Sequence, residues 1–368
     1  MRRGKGLLLM ALLPVLLAVA LAFGNGANDV SKGVATLVGA GLATERRALL
    51  WGTAWTLLGA AAAATVSREL FAMFTGRGLL SAPPATLAWP TAVALGAAAW
   101  LALATRAGLP VSTTHALVGA IVGAGLVAGG AEGVRWPLLF RSVALPLLLS
   151  PVVSLAVVLG SLPPVGTLFQ RLGGYCVCVE RAVMGPVPAG PALPAPAPRV
   201  MHAIVGDDCP PRVITRMNVL DSLHWLTAGL TCFARGLNDA PKVAALGLGA
   251  GAVVGLDALS LTALVAAAMA AGSALAGRRV TGTLARGITP MSGSEALTAN
   301  AATSALVGLA AAYGVPVSTT HVSTGCVLAI GLHRRSVQWR LAREILLAWV
   351  VTLPAAGLLA ALGFVALR

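Results

Sequence analysis

The chain has 368 residues, of which 57% are hydrophobic and only 10% are charged. Soluble domains carry about 25% charged residues, so this composition excludes an ordinary water-soluble globular domain. The formal charge of +14 would suit a nucleic-acid binder, but most arginines stand in short pairs between apolar runs. Arginines in that position reflect membrane topology and anionic headgroups. We therefore expect a polytopic membrane protein that contacts the lipid bilayer and binds no nucleic acid.

Six apolar runs approach the roughly 17–25 residues that a helix needs to cross a bilayer. They are Leu7–Ala22, Ala48–Val66, Ala85–Thr105, Leu138–Leu159, Ala258–Ala276 and Ile345–Leu367. The first run resembles a signal peptide, because basic residues precede it and small residues follow it. Further apolar sequence comes directly after it, so we expect a retained first span of a multi-pass protein in the cell membrane.

A polar interval divides the chain into two halves. It covers residues 161–220 and contains the letters GPVPAGPALPAPAPR, which are typical of an extended linker. We predict a first transmembrane repeat over residues 1–160, this central loop, and a second transmembrane repeat over residues 221–368.

The five cysteines are too few and too scattered for a disulfide framework. Two of them lie in apolar runs and are expected to pack as small hydrophobic side chains. The others share the central loop with a histidine, in a spacing that fits no standard zinc pattern. We therefore predict no metal site and no cofactor. These loop residues are Cys176, Cys178, His202 and Cys209.

Two polar motifs occur twice and in the same order. The first, F-x-x-G-x-N-D-x-x-K (the ND motif), occurs as FGNGANDVSK from Phe23 and as FARGLNDAPK from Phe233. The second, PVSTTH, begins at Pro110 and again at Pro316. The copies are 210 and 206 residues apart, which indicates duplication of a whole unit. Duplicated halves with Gly and Pro breaks at matching positions are typical of secondary transporters.

Breaks of this kind determine the expected fold. They expose backbone N–H and C=O groups that lipid cannot satisfy, so the broken stretches must be buried or line an aqueous cavity. We predict an all-α polytopic fold with broken helices, and with re-entrant pieces around the ND and PVSTTH motifs. Six crossings in each half would make the repeats parallel, whereas inverted repeats need one segment that dips in and returns.

Each PVSTTH motif places hydroxyl groups at the start of a helix. Gly and Pro end the preceding helix, and the next residues supply hydroxyls and free N–H groups at a positively polarised N-terminus. Two such ends facing each other would replace the hydration shell of a tetrahedral oxyanion; the alternative is that they only cap their helices. The candidate anion-binding residues are Ser112, Thr113, Thr114, Ser318, Thr319 and Thr320.

His115 and His321 close the two motifs. A histidine in a membrane core either relays protons or holds a turn by donating to a carbonyl, and we favour the second role for both cavity-lining residues. A Ser–His pair also suggests a hydrolase. The motif is duplicated and lacks a nucleophile elbow, however, and catalysis needs one such site. We therefore predict that the chain is not an enzyme.

The ND motifs place charges at bilayer depth. Asp29 and Asp239 lie between apolar segments, and a carboxylate inside a membrane is functional by default. The chain has three lysines, and two of them, Lys32 and Lys242, follow these aspartates by three residues. Residues i and i+3 share a helix face. Each pair therefore either neutralises itself as a structural ion pair or couples an anion to a cation or proton.

With both pairs of motifs in place, the sequence resembles the inorganic phosphate transporter (PiT) family, which includes sodium- or proton-coupled phosphate carriers and some sulfate permeases. The resemblance rests on GANDVSKGVATLVG and GLNDAPKVAAL, on both PVSTTH copies, and on ITPMSGSEALTANAATSALVGLAAAYG from Ile288. It spans both halves and leaves the central loop and the termini unmatched. It implies an inverted-repeat symporter that imports inorganic phosphate, held near mid-membrane by the PVSTTH hairpins and the ND segments.

The resemblance also implies roles for single residues. The anion would meet the six hydroxyls named above and the asparagines of the ND motifs, beside the charged pairs that couple transport to a proton or to sodium. A homodimer is compatible with the family. The further implied residues are Asn28 and Asn238 for the substrate, Asp29, Lys32, Asp239 and Lys242 for ion coupling, and Asn300 and Thr303 in the cavity wall.

The chain departs from the family pattern at one point in each repeat. The common A-N after N-D is here Ser31-Lys32 and Pro241-Lys242. An asparagine can give an oxygen to sodium, whereas a lysine is only a donor and its ammonium would occupy or repel a sodium site. The leading hypothesis is therefore proton-coupled, sodium-independent phosphate import. A sulfate permease of the same family is one alternative, and an anion channel built on the same broken helices is another.

Overall fold

A computed structural model of the chain describes residues 2–76, 78–172, 175–181, 199–205, 213–287 and 291–368. The fold of these residues is mostly helical, as predicted. The helices up to the central segment are α1 (Arg2–Asp29), α2 (Ser31–Gly39), α3 (Glu45–Val66), α4 (Arg68–Phe74), α5 (Ala88–Arg106), α6 (Thr113–Gly129), α7 (Trp136–Leu139) and α8 (Leu145–Leu172). The helices after it are α9 (Val219–Val253), α10 (Ala258–Ala276), α11 (Arg278–Gly287), α12 (Gly293–Ala312), α13 (Thr319–Arg334) and α14 (Trp339–Leu367).

A small antiparallel sheet lies in the central segment. Its strands are β1 (Tyr175–Arg181), β2 (Arg199–Val205) and β3 (Val213–Asn218), with β1 in the middle. Their letters, such as YCVCVER and RVMHAIV, are rich in valine, which favours strands. The composition of residues 161–220 predicted a loop. The structure instead places the end of α8 and three strands in this segment. The proline-rich letters and Cys209 lie outside the described residues.

Six helical stretches in the described residues are long and apolar enough to cross a membrane. Each contains most of one of the apolar runs found in the sequence, and the composition excludes a soluble domain. The chain is therefore a multi-pass membrane protein, as predicted. The stretches are Met10–Gly39, Glu45–Val66, Ala88–Arg106, Trp136–Leu168, Ala258–Ala276 and Trp339–Leu367.

The two halves of the chain interlock. Helix α3 of the first half packs along α9 of the second, and α10 of the second half packs along α1 of the first. The same exchange occurs between α6 and α14 and between α8 and α13. Each half therefore buries its helices largely against the other half.

Glycines allow the central helices to cross at close range. A Cβ atom on Gly272 of α10 would stand 1.9 Å from the carbonyl oxygen of Phe23 in α1. A Cβ atom on Gly59 of α3 would stand 2.0 Å from the carbonyl oxygen of Phe233 in α9. Phe23 and Phe233 open the two copies of the ND motif, so each copy is placed by the same kind of crossing. Small residues at such crossings are typical of membrane helix packing.

The ND motifs lie inside helices. Helix α9 passes through Asp239 without a break, and α1 and α2 are separated only by Val30, which has helical dihedral angles. Pro241 has no N–H for the carbonyl of Leu237, and the hydroxyl of Ser67 donates to that oxygen instead, at 3.0 Å. The prediction of re-entrant pieces at the ND motifs is therefore wrong, because side chains satisfy the polar groups while the helix continues.

The PVSTTH motifs lie at helix breaks, as predicted. Gly108 and Gly314 have φ angles of +73° and +69°, in the left-handed region that favours glycine. They reverse the chain between α5 and α6 and between α12 and α13. The result is two helical hairpins whose tips carry the PVSTTH residues.

A substitution at the α1–α10 crossing tests this packing. We expect Gly272→Ala to lower the thermal unfolding temperature of the purified protein in detergent, because overpacking costs roughly 1–3 kcal/mol. Gly160→Ala is the matched control, since a Cβ atom there meets nothing within 4 Å and alanine favours helix over glycine. Equal losses in both variants would contradict a close crossing at Gly272.

Candidate functional site

The two PVSTTH hairpins meet tip to tip. The hydroxyl of Thr114 donates to the carbonyl of Val317 at 3.3 Å, and the hydroxyl of Thr320 donates to the carbonyl of Val111 at 2.8 Å. All four residues are buried. Each hairpin therefore donates a threonine hydroxyl to the same backbone position of the other, and the motifs form one site although about two hundred residues separate them.

The serines of the two motifs cap their helices. Ser112 accepts a hydrogen bond from the backbone N–H of His115 at 3.2 Å, and Ser318 accepts one from His321 at the same distance. These are N-cap contacts that satisfy an otherwise unpaired donor. In this structure the serine hydroxyls therefore follow the capping alternative.

The remaining hydroxyl position differs between the repeats. Thr113 accepts from the side-chain amide of Asn25 at 3.0 Å and donates to the carboxylate of Asp29 at 3.5 Å. Its counterpart Thr319 is buried, and its hydroxyl has no hydrogen-bond partner in the part of the chain that the structure describes. The first repeat thus ties its threonine to the charged residues, whereas the second leaves an unsatisfied hydroxyl.

The two histidines pack against each other behind the hairpin tips. Their ring centroids are 4.4 Å apart, and the ring of Trp349 stacks on His321 at 3.8 Å. Nδ1 of His115 lies 2.9 Å from the hydroxyl of Ser112, and Nδ1 of His321 lies 3.2 Å from the carbonyl of Leu147. These contacts hold the turns in place.

Both aspartate–lysine pairs form within their helices. Lys32 donates to the carboxylate of Asp29, and Nζ of Lys242 lies 3.5 Å from the carboxylate of Asp239. All four side chains are at least 96% buried. Charges buried to this degree must be neutralised locally. Each pair therefore supplies its own counter-charge.

Each ammonium also contacts oxygens of the hairpin tips. Lys32 donates to the carbonyl of Val111 at 3.2 Å, and Lys242 donates to the carbonyl of Val317 at 3.1 Å. Lys242 makes a further bond of 2.8 Å to the hydroxyl of Thr114. The carbonyls that accept from the threonines thus accept from the lysines as well. The ion pairs and the hairpins are one hydrogen-bonded cluster.

The sequence analysis missed two members of this cluster. The amide of Asn25 donates to Asp29 at 3.2 Å and to Asp239 at 3.1 Å, and so joins the two carboxylates. Arg235 is buried and donates to the side-chain oxygen of Asn25 at 3.1 Å and to the hydroxyl of Thr56 at 2.5 Å. In the ND motif Arg235 takes the place that Asn25 holds in the other copy. The signal was present, since FARGLND carries a charge where FGNGAND has an amide.

The cluster carries a surplus positive charge. The buried charged side chains of the described residues are two carboxylates and three cations. With every group in its ordinary ionic form, the net charge is +1. A positive site shielded from water attracts anions more strongly than the same charge at the surface. These residues are Asp29, Lys32, Arg235, Asp239 and Lys242.

The asparagines of the ND motifs hold the hairpin backbones. Asn28 donates to the carbonyl of Leu109 at 3.0 Å and accepts from the N–H of Val111 at 3.2 Å. Asn238 donates to the carbonyl of Val317 at 3.1 Å. Side-chain amides therefore bind backbone groups that the chain reversal leaves without helical partners.

A cavity reaches the cluster from one side. It has a volume of about 60 Å³, and it lies between α2, α11 and α13. We call it the hydroxyl cavity, because its polar lining consists of Lys32 and four hydroxyl side chains. These are Ser31, Thr36, Ser323 and Thr324.

The two residues expected in the cavity wall lie behind it. Asn300 donates to the carbonyl of Gly33 at 3.1 Å and to the hydroxyl of Thr36 at 2.8 Å, and so positions one of the lining hydroxyls. Thr303 donates to the carbonyl of Ala299 and contacts the sulfur of Cys326 at 3.4 Å. Neither is among the residues that line the hydroxyl cavity.

No group of three metal-binding side chains occurs within the described residues. The aspartates of the cluster are instead neutralised by the lysines and by Arg235. Of the cysteines considered for a metal site, Cys209 lies outside the described part of the chain.

A model of the phosphate transporter family matches residues 25–184 and 197–360, which include both PVSTTH copies, the second ND motif and the first ND motif from Asn25 onward. The chain belongs to the phosphate transporter family. The transporter is 30% identical to the "Putative phosphate permease" of Pyrococcus abyssi over 96% of each chain. It is also 30% identical to the "Probable low-affinity inorganic phosphate transporter" of Mycobacterium tuberculosis, over 96% of this chain and 76% of that one.

A solved structure described as "The sodium-dependent phosphate transporter" has the same fold. It aligns with a TM-score of 0.75 at 21% identity and covers 97% of this transporter and 98% of that chain. The family match confirms the resemblance found in the sequence and the prediction that the chain is not an enzyme. It also extends over parts of the central segment that the motif comparison left unmatched.

Removing one partner of a buried ion pair tests whether the pair neutralises itself. Lys32→Met removes the cation that donates directly to the carboxylate of Asp29, and breaking a buried pair costs roughly 3–5 kcal/mol, so we expect a large loss of monodisperse protein in detergent. Asp29→Asn combined with Lys32→Met should recover most of the loss. Arg340→Met is the control, because its pair with Glu344 is exposed and contributes little. A double variant no better than Lys32→Met would contradict self-neutralisation.

Proposed function

We propose that the chain is a secondary active symporter that imports inorganic phosphate together with protons. The phosphate part is supported by the family and by relatives whose names refer to phosphate. The proton part rests on one observation, the two buried ammonium groups at the junction of the ND helices and the hairpin tips. A sulfate substrate and a channel mechanism have no specific observation in their favour.

The lysine ammonium groups donate hydrogen bonds to the oxygens that would otherwise bind a coupling cation. In sodium-coupled transporters, carboxylates and the carbonyls of interrupted helices bind the ion. Here the ammonium of Lys32 donates to the carboxylate of Asp29 and to the carbonyl of Val111. The ammonium of Lys242 donates to a carboxylate, a carbonyl and a hydroxyl, those of Asp239, Val317 and Thr114. A sodium ion would have to displace a tethered charge of the same sign. We therefore assign the coupling to protons, although the solved relative is described as sodium-dependent.

The ion pairs provide a physical route for this coupling. When Asp29 takes up a proton, its carboxylate becomes neutral and the positive charge of Lys32 is left without a counter-charge. The site then attracts an anion more strongly. Linkage is reciprocal, so a bound phosphate raises the proton affinity of the pair by the same factor. Proton and phosphate therefore favour each other's binding, which is the requirement for symport.

The chemistry of the cluster favours phosphate over sulfate. Near neutral pH phosphate still carries a proton and can donate a hydrogen bond, whereas sulfate is only an acceptor. The carboxylates of Asp29 and Asp239 both lie within hydrogen-bond distance of the Asn25 amide, so an anion at the hairpin tips meets acceptors as well as cations. A substrate with an O–H group suits that mixture.

Alternating access fits the exchange of helices between the two halves. The packing of α3 on α9 matches that of α10 on α1, and each hairpin donates to the other in the same way. We propose that residues 1–160 and 221–368 are inverted repeats around this shared site. The homodimer stays a prediction.

Reconstitution into liposomes tests the proposed function. We expect saturable uptake of labelled phosphate that rises with an inward proton gradient, falls when a protonophore collapses the gradient, and is unchanged when choline replaces sodium. Empty liposomes are the control. Strict sodium dependence would overturn proton coupling. Faster uptake of labelled sulfate than of phosphate would overturn the substrate assignment, and uptake without counterflow would indicate a channel.

Replacing the two lysines tests their part in ion selection. Lys32→Asn combined with Lys242→Asn removes both tethered cations and adds side-chain oxygens, so we expect phosphate uptake to become stimulated by sodium. Uptake with and without sodium in proteoliposomes measures this. The control is Lys5→Asn, which changes the third lysine of the chain and should leave uptake insensitive to sodium. If phosphate uptake by the double variant is still unaffected by sodium and still depends on the proton gradient, the lysines do not determine which ion is coupled.

A further inference from the structure

The side chains around Lys32 and those around Lys242 differ in polarity, although the two lysines occupy the same position in the repeated motif. On the Lys32 side, four hydroxyl side chains line the hydroxyl cavity. The motif alignment identifies their counterparts in the other repeat, and every counterpart is apolar. The pairs are Ser31 with Pro241, Thr36 with Leu246, Ser323 with Leu117, and Thr324 with Val118.

On the Lys242 side, the residues that correspond to three of these hydroxyls pack into a hydrophobic cluster. Leu117, Val118 and Leu246 are buried in one hydrophobic cluster, and Phe74 at the end of α4 belongs to the same cluster. The ring of Phe74 lies over the ammonium of Lys242, 5.8 Å from its centre. Since both motifs are repeated, the difference between the polar lining near Lys32 and the apolar packing near Lys242 resides in these side chains.

The hydroxyl cavity has the chemistry of an oxyanion site. Thr324 makes no hydrogen bond to described residues, and Ser323 bonds only to the carbonyl of Thr320 in its own helix, at 3.3 Å. Both hydroxyls can therefore turn towards a ligand. Lys32 supplies the positive charge at the inner end. The cavity volume of about 60 Å³ is several times the roughly 10–15 Å³ that one water needs.

The mouth of the hydroxyl cavity is also suited to anions. Leu284 and Ala285 of α11 form part of its wall. The same helix begins with Arg278 and Arg279, both exposed. They lie about two turns of helix before Leu284 and Ala285, so their positive charge favours anions near this wall.

We propose that the hydroxyl cavity is a phosphate-binding site on the access path, where the anion contacts Ser323 and Thr324 and faces Lys32 before it reaches the hairpin tips. This site is separate from the PVSTTH hydroxyls, of which all but that of Thr319 already make hydrogen bonds to described residues. The inference rests on the proposed transport of phosphate and adds the residues that first bind it. It also makes the site one-sided, since the other repeat has no counterpart of it.

Uptake kinetics in proteoliposomes test the site. We expect Ser323→Ala combined with Thr324→Val to raise the KM for phosphate about tenfold, as the loss of a hydrogen bond to an anion does, with a smaller effect on the maximal rate. Ser304→Ala is the matched control, because it removes a hydroxyl with the same bond to its own helix, at 3.0 Å from Ala301, outside the cavity. Its KM should equal that of the unchanged chain.

The outcomes separate the two proposals. If the unchanged chain takes up no phosphate, the proposed function fails. If it transports phosphate and the double variant has an unchanged KM, the hydroxyl cavity does not bind the anion and this inference fails. A double variant that alters only the pH dependence of uptake likewise overturns it, because the cavity would then conduct protons or water alone.

A chemical measurement tests the same site without transport. We expect Thr324→Cys to react with a charged, membrane-impermeant thiol reagent, and phosphate to slow the reaction several-fold relative to chloride at equal ionic strength. The unchanged chain gives the background reaction of its own five cysteines, of which Cys232 and Cys326 are buried. A cysteine at this position that does not react, or that phosphate does not protect, overturns the proposal.

Discussion

The structure depends on the need to neutralise charges inside protein that is surrounded by lipid. A buried aspartate or lysine cannot be solvated by hydrocarbon, so each must find its partner nearby. The spacing of three residues in the ND motif supplies that partner within one turn of helix. The remaining hydrogen-bonding capacity of each ammonium goes to a carbonyl at a hairpin tip. The ion pairs thereby fix where the hairpins meet, and the glycine crossings allow the ND helices to come close enough for this contact.

The repeated motifs make equivalent contacts in the two halves, but several of the surrounding side chains differ. The hairpins bind each other through the same threonine and carbonyl, and both lysines take the same position. The differences are few and chemically large. Arg235 stands where the other repeat has the amide of Asn25. The four hydroxyl residues of the hydroxyl cavity correspond to apolar residues in the other repeat. Under the proposed function, a carrier exposes one site to two sides in turn, and these side chains give the two approaches to that site different chemistry.

The sequence predicted the site better than the path of the backbone through it. Composition and apolar runs identify the membrane helices, and repeated motifs identify the residues that meet at the centre. Whether the ND motif breaks its helix cannot be read from the letters, because a proline and polar residues suit a break and a satisfied helix equally. At Pro241 the deciding contact is the hydroxyl of Ser67, 170 residues away in sequence. Asn25, Arg235 and the pair Ser323–Thr324 were present as differences between the repeats, but only their burial and the cavity give those differences meaning.

A tethered ammonium and a dissolved sodium ion differ in what can leave the site. Sodium is released together with the substrate, so its gradient can drive transport. A lysine stays bonded to its helix, and the only charge that it and its aspartate can exchange with either side is a proton. The carboxylate, carbonyl and hydroxyl oxygens that hold Lys32 and Lys242 are thus occupied in every state in which the pairs are intact. Under the proposed function, the motif has exchanged a mobile cation for a fixed one, and the driving force must then come from protonation of the pair.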